Sequence, residues 1–236
     1  MPGASPSLVF YGHVVDLRHG QEELFKSFNG ATRRGILKAV RTGLRFEFSN
    51  CLDSIRTFYA LHCTTRRRHG LPPQPLRFFE NVAWYVLAQG HGFVATVPWK
   101  DKPLAAGVFF HHGREAFYKF GASEYSSQQL RPNNILLWDA IKRCVDNGFD
   151  ILHLGRTSLA NEGLRRFKLG FGAREERIEY YKYHFVKQTF VRQIDHSATY
   201  FRLLFRCMPL PALRLAGEML YPLKISRAPW LPGFSG

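Results

Sequence analysis

Cysteine is scarce and never closely spaced in this sequence. Cys51, Cys63, Cys144 and Cys207 are the 4 cysteines, and no two form a C-x-x-C pair. That pattern argues against a disulfide framework and a zinc site, and fits reduced thiols in a cytoplasm. No apolar run reaches the ~18 residues that a membrane-spanning helix needs. The opening Met-Pro-Gly-Ala-Ser-Pro has no basic stretch followed by an apolar one, so no signal peptide is expected. His13, His62, His69, His91, His111, His112 and His153 show no H-E-x-x-H or Cys/His ligand spacing, so no metal site is expected. A G-x-S-x-G elbow and a P-loop are also missing, which removes the two commonest signatures of serine hydrolases and nucleotide hydrolases. There is no internal repeat and no low-complexity tract.

Acidic residues are few as well. The 236 residues hold 18 Asp and Glu against 33 Lys and Arg, a formal charge of +15. Such an excess points to an anionic partner: phosphate, nucleic acid or an anionic membrane surface. The hydrophobic share of 45% is that of an ordinary globular chain, and most of the 21 phenylalanines are expected in a core.

Periodicity predicts the elements. A strand is expected over 8–17 and a short helix over 21–28, with Asn29 as cap of a further helix running to about Thr42. Period-two alternation marks 44–49 as a half-buried strand. A helix opening at Asp53 or Ser54 ends in Arg66-Arg67-Arg68-His69-Gly70, a strong stop signal ahead of Pro72 and Pro73. A helix over 76–89 follows. Three aromatic strands (92–99, 104–111, 115–122) are joined by short turns, which makes an antiparallel meander. Then come a helix over 132–147, a strand over 150–154, a helix over 162–169, a glycine turn at Gly170-Phe171-Gly172, and a strand over 177–185. The fold class is α/β (α+β): a mixed sheet with an antiparallel meander, flanked by helices.

Two stretches carry a family resemblance. Residues 25–44 read F-K-S-F-N-G-A-T-R-R-G-I-L-K-A-V-R-T-G-L, and residues 149–173 read F-D-I-L-H-L-G-R-T-S-L-A-N-E-G-L-R-R-F-K-L-G-F-G-A. The first resembles the T-R-R-x-I-x-K-A helix of FemAB-like acyltransferases, and the second their G-R-S/T followed by G-L-x-x-F-K-x-x-F-G. The segments T-R-R-R-H-G-L-P at 65–72 and F-Y-K-F-G-A-S at 117–123 fit the same pattern. C-M-P-L-P-A-L-R-L-A-G at 207–217 is similar to an exosortase-associated branch. The resemblance implies a GNAT-like fold over about 8–185 and transfer of an acyl or aminoacyl group to an amine. Known members use aminoacyl-tRNA to build peptidoglycan cross-bridges; others are assigned to cell-surface polysaccharide or lipid modification. It also implies a two-unit protein, of which this chain carries mainly the second. The expected organisation is an N-terminal segment at 1–24 (a strand and a remnant of a first unit), the acyltransferase domain at 25–185, and a basic amphipathic tail at 186–236.

The resemblance assigns Lys168, the lysine of F-K-x-x-F-G, to catalysis. Aminolysis of an ester or thioester builds negative charge on the carbonyl oxygen, and a fixed ammonium would stabilise it. Arg156, Thr157 and Ser158 are expected in a strand-to-helix turn whose amides face an anion. Arg34 and Lys38, at i and i+4 on one helix face, and Arg66 and Arg68, at a helix end, are expected to bind a phosphate-bearing substrate. The bland reading of the last two is complementation of the helix dipole. No tightly bound cofactor is expected; the acyl donor is aminoacyl-tRNA or acyl-CoA. The R/Q-x-x-G-x-G/A loop that cradles a CoA pyrophosphate is missing between Ser123 and Asn134; Arg131, Asn133 and Asn134 there suit turn and cap roles, with contact to a polar acceptor as the other reading.

The tail carries Lys187, Arg192, Arg202, Arg206, Arg214, Lys224 and Arg227 against Asp195 and Glu218, with Phe201, Leu204, Phe205 and Leu213 interleaved. One reading is an amphipathic helix on the inner, anionic face of a membrane; the other is a helix packed back on the domain. Two functions follow. The first is a cytoplasmic N-acyltransferase acting on a cell-envelope precursor. The alternative is a non-catalytic basic module for tRNA or anionic lipid.

Overall fold

The computed structural model describes residues 5–100, 102–191 and 199–227. Residues 1–4 of the N-terminal segment, and Arg192 and Asp195 of the tail, lie outside them. The chain runs β1 (Leu8–Asp16), α1 (Gly20–Ser27), α2 (Gly30–Arg41), β2 (Glu47–Ser49), α3 (Leu52–Arg68), α4 (Leu76–Val82), then β3 (Gly92–Trp99), β4 (Lys102–His112) and β5 (Glu115–Ser123). It continues through α5 (Pro132–Asp146), β6 (Ile151–Ser158), α6 (Glu162–Leu169) and β7 (Arg174–Tyr180). Seven strands form one sheet in the order β2-β3-β4-β5-β6-β1-β7, so the N-terminal strand lies inside the sheet.

Alternation along the meander divides the core in two. Phe93, Ala95 and Val97 of β3 enter one cluster with Phe28, Ile36, Leu136, Ile141 and Phe171, while Val94 enters the other with Ile55, Phe58, Phe79 and Val108. A side-chain period of two sends neighbouring residues to opposite faces. α1, α2 and α5 therefore cover one face, and α3 with α4 covers the other.

Caps and turns follow the local chemistry. Asn29 accepts the Thr32 amide at 2.7 Å and opens α2. Asn161 does the same for α6, from Leu164 at 3.1 Å. The two family-like stretches meet here. The Asn29 amide donates to the Gly170 carbonyl at 3.0 Å, and Phe28 packs edge-on against Phe171 with ring centroids 5.1 Å apart. A Cβ at Gly170 would lie 2.4 Å from Thr32 Oγ1, so only glycine lets the two segments close.

Several boundaries differ from the sequence reading. The helix expected over 76–89 ends as α4 at Val82 and passes into a π-helical turn, Ala83–Leu87. Only Glu47–Ser49 of the strand expected over 44–49 pairs with β3. The last strand, expected over 177–185, is shifted to Arg174–Tyr180 by its register against β1, from Leu8↔Tyr180 to Val14↔Arg174. The strand expected over 150–154 runs on to Ser158 because β1 pairs along it as far as Phe10↔Ser158.

Beyond β7 the tail forms a two-stranded hairpin, β8 (Tyr183–His184) with β9 (Thr189–Phe190), and two helices, α7 (Thr199–Cys207) and α8 (Leu210–Arg227). The two tail helices differ in how they sit against the domain. α8 packs back on the domain through fully buried Leu213, whereas Phe201 and Leu204 of α7 are 61% and 55% exposed. Among the described residues, no helix is long and apolar enough to cross a membrane.

Candidate active site

The sheet has one parallel junction, and it is short. β5 pairs with β6 only from Glu115↔Ile151 to Phe117↔His153. Beyond that point β5 remains with β4 and β6 remains with β1, so the two strands part. A bulge helps: Val108 faces Phe120 and Phe109 faces Tyr118, which leaves Lys119 unpaired where the split begins. The split opens a cleft of about 940 Å³. β5 supplies Phe117 through Ser123, β6 supplies His153 through Arg156, α6 supplies Lys168, and α3 supplies Thr65 and Arg68.

Lys168 is 4% exposed, although it sits on a helix that faces solvent elsewhere. Its Nζ donates to the carbonyls of Gly155 at 3.1 Å and Arg156 at 3.2 Å. Burial without a carboxylate partner pushes its pKa down to about 7. An ammonium has three N–H donors, so two are met by the sheet and one is left for the cleft.

The Gly155 carbonyl is aimed by a second bulge. Gly12 faces Arg156 and Val14 faces His153, so Leu154 and Gly155 together oppose His13. Gly155 has φ +73°, a left-handed conformation that glycine adopts without strain. His13, 1% exposed, is thereby turned inward beside Lys168. Its Nδ1 lies 3.5 Å from Thr157 Oγ1 and its Nε2 lies 3.3 Å from Glu175 Oε2. Arg165 grips Glu175 with two bonds, 2.7 and 3.0 Å. Burial first, then the Lys168 charge, lowers the His13 pKa.

Basic side chains line the cleft: Arg68, Lys119 and Arg156 besides Lys168, with Glu176 as the one carboxylate among the lining residues. Arg156 donates to Tyr180 Oη at 2.8 Å and stacks over the Phe10 ring at 4.5 Å. Arg68 lies over the Tyr125 ring at 5.0 Å. Such a wall would hold an anion, since charge-assisted contacts outweigh neutral ones.

The structure thus brings Lys168, Arg156 and Arg68 of the expected residues into one cleft. It separates the others. The G-R-T-S segment is β6 itself and not a helix-capping turn: Thr157 is fully buried and faces His13, and Ser158 is an exposed strand end outside the cleft. Arg66 is 2% exposed and donates from Nε and Nη2 to the Pro72 carbonyl at 3.2 and 3.1 Å, a fold-forming contact. Arg34 and Lys38 are exposed on α2 and do not line the cleft. Arg131 adopts φ 62° at the start of α5, the expected turn role, while Asn133 reaches Ser123 Oγ at 3.3 Å inside the cleft. Sequence reasoning passed over His13 and Glu175. The one available signal was a histidine in the otherwise apolar run L-V-F-Y-G-H-V-V.

The model of the acetyltransferase (GNAT) domain family matches residues 26–183. The chain therefore belongs to the GNAT acetyltransferase-domain family. FemX shares the fold at a TM-score of 0.64 and 15% identity, over 72% of this chain and 61% of that one. The C-terminal domain, DUF2156, of an Agrobacterium fabrum protein described as a lysylphosphatidylglycerol synthetase does so at 0.52 and 15%, over 71% and 58%. L-PGS from Bacillus licheniformis does so at 0.51 and 12%, over 84% and 65%. This chain thus spans 58% to 65% of those three chains. These likenesses agree with the FemAB-like motifs at the level of fold. No curated protein matches.

Proposed function

We propose that the chain is an N-acyltransferase that moves an acyl or aminoacyl group from a phosphate-bearing donor to an amine of a cell-envelope precursor, peptidoglycan, polysaccharide or lipid-linked. The observation that carries this is Lys168, a buried amine of low basicity in a cationic cleft. In the reaction, the acceptor nitrogen attacks the donor carbonyl carbon and the carbonyl π pair moves to oxygen. Collapse breaks the C–O or C–S bond of the donor. The acceptor enters as an ammonium and loses two protons, one to the leaving group and one to solvent. An amine that titrates near 7 exists in both forms at neutral pH. Uncharged, it takes a proton from the acceptor; charged, it supports the oxyanion.

Arg68 and Arg156 are the proposed contacts to the donor phosphates, taken from aminoacyl-tRNA or acyl-CoA. Arg34 and Lys38 suit the outlying part of a large donor such as tRNA. The proposed location is the cytoplasmic face of an anionic membrane, supported by the exposed apolar residues of α7 beside Arg202 and Arg206. Cosedimentation with phosphatidylglycerol vesicles should fall when the chain is truncated after Phe185; equal pelleting contradicts the membrane part.

The test of the activity is mass spectrometry of envelope precursors from cells carrying wild type or Lys168→Met. An acyl-bearing precursor lost in the variant supports it. Identical precursors in both favour a non-catalytic basic module.

A further inference from the structure

The hairpin that follows β7 is largely exposed, and its bare end is apolar. Tyr183 pairs with Phe190 and His184 with Thr189, and the Gln188 amide closes the turn on the Phe185 carbonyl at 3.3 Å. That turn carries Phe185 and Val186 outward, 83% and 90% exposed. The rings behind it form one row. Phe185 meets Tyr183 with centroids 5.3 Å apart, Tyr183 meets Phe190 at 5.1 Å, and Phe190 meets Tyr181 at 6.1 Å. Apolar side chains thus stand at the tip, with exposed phenols further back. The charge there is of one sign. Lys182 and Lys187 are exposed on the hairpin, and residues 180–191 contain no Asp or Glu. Glu179, at the base, is taken by Arg177 at 2.9 Å and accepts the Tyr181 hydroxyl at 2.7 Å.

We infer that the β8–β9 hairpin is a wedge by which the chain enters an anionic lipid surface: Phe185 and Val186 pass below the headgroups, the tyrosines sit among them, and Lys182 and Lys187 meet lipid phosphates. The inference rests on the membrane location proposed above and adds a contact separate from α7. Lipid fits this tip better than protein does. Rings with a polar end suit the headgroup level. Lysines beside an apolar patch favour an anionic surface. Two protruding side chains cannot cover the roughly 800 Å² per partner of a stable protein interface, whereas insertion needs only depth.

Cosedimentation of the full chain is measured with vesicles of equal parts phosphatidylglycerol and phosphatidylcholine, and with phosphatidylcholine alone. The Phe185→Ser, Val186→Ser double variant should fold as wild type by circular dichroism and thermal unfolding, because both side chains face solvent. Its binding to the mixed vesicles should fall at least tenfold. Lys182→Gln and Lys187→Gln should each weaken that binding roughly fivefold, and only where phosphatidylglycerol is present. Val186→Trp should add an emission that shifts to the blue on the mixed vesicles and is quenched by brominated acyl chains. A folded Phe185→Ser, Val186→Ser variant that pellets like wild type overturns the wedge; the membrane location then stands if Phe201→Ser with Leu204→Ser on α7 abolishes pelleting. Wild type that pellets with neither vesicle overturns both. Sedimentation velocity reads the other occupant: a wild-type dimer that the same hairpin variant turns into monomer, with lipid binding unchanged, makes the tip a contact between copies and overturns the wedge.

Discussion

Arg66 and Lys168 are both basic side chains drawn out of water, and each donates to backbone carbonyls. Arg66 closes the end of α3 onto Pro72; burial lowers its pKa to about 9, so it stays charged at neutral pH. Lys168 closes α6 onto β6, and burial leaves it near 7, within reach of both protonation states. The same cost of desolvation thus yields a fixed brace in one place and a titrating amine in the other. The difference lies in side-chain chemistry and address: a guanidinium resists losing its proton, and only Lys168 lines the cleft.

The largest way to break the comparison is Lys168→Met. Acyl transfer should fall roughly 100- to 1,000-fold, the usual cost of losing an oxyanion contact. Stability should move the other way. The folded pKa lies below the unfolded value, so burial destabilises the fold as pH drops from about 10.5 toward 7 and fully below that. Urea unfolding at pH 6.5 should therefore show the variant more stable, by up to about 5 kcal/mol if the whole shift is expressed, with the gain vanishing above pH 11.

Arg66→Ala should do the reverse. It leaves the Pro72 carbonyl unsatisfied and should cost about 2–3 kcal/mol in the same unfolding assay, with the Lys168 titration unchanged. Arg68→Gln and Arg156→Gln should each weaken binding of a phosphate-bearing donor about 5- to 50-fold and flatten its salt dependence by roughly one charge. Filter binding across a salt series reads both. The smallest effect is expected from the Arg34→Gln, Lys38→Gln double variant. Binding of tRNA should weaken a few-fold and binding of a small acyl-CoA should not change, because α2 lies outside the cleft.

Much of this frame can be read along the chain, where the physics is local. The meander, the Asn29 cap and α6 at Glu162–Leu169 follow from alternation, capping and glycine placement. Elements fixed by distant partners were not legible. The extension of β6 to Ser158 depends on β1, about 145 residues away in sequence, and it turns Gly155-Arg156-Thr157-Ser158 from a turn into a strand. The burial of Arg66 depends on how residues 70–74 fold back, and nothing in a run of three arginines marks which one goes inside. For Lys168, a family-like motif singled out the residue, but its low basicity comes from the β6 carbonyls and the loss of water. His13 joins the site through a bulge and Glu175 meets it through the β1–β7 pairing, and no single-sequence period reveals either.

The central claim is that the cleft holds a lysine of low basicity. ¹³C NMR titration of the lysine ε-carbons, with the Lys168 signal assigned by its loss in Lys168→Met, tests this directly. A midpoint near pH 7 for that one signal is the expected result; a midpoint near 10, shared with the surface lysines, would contradict the account.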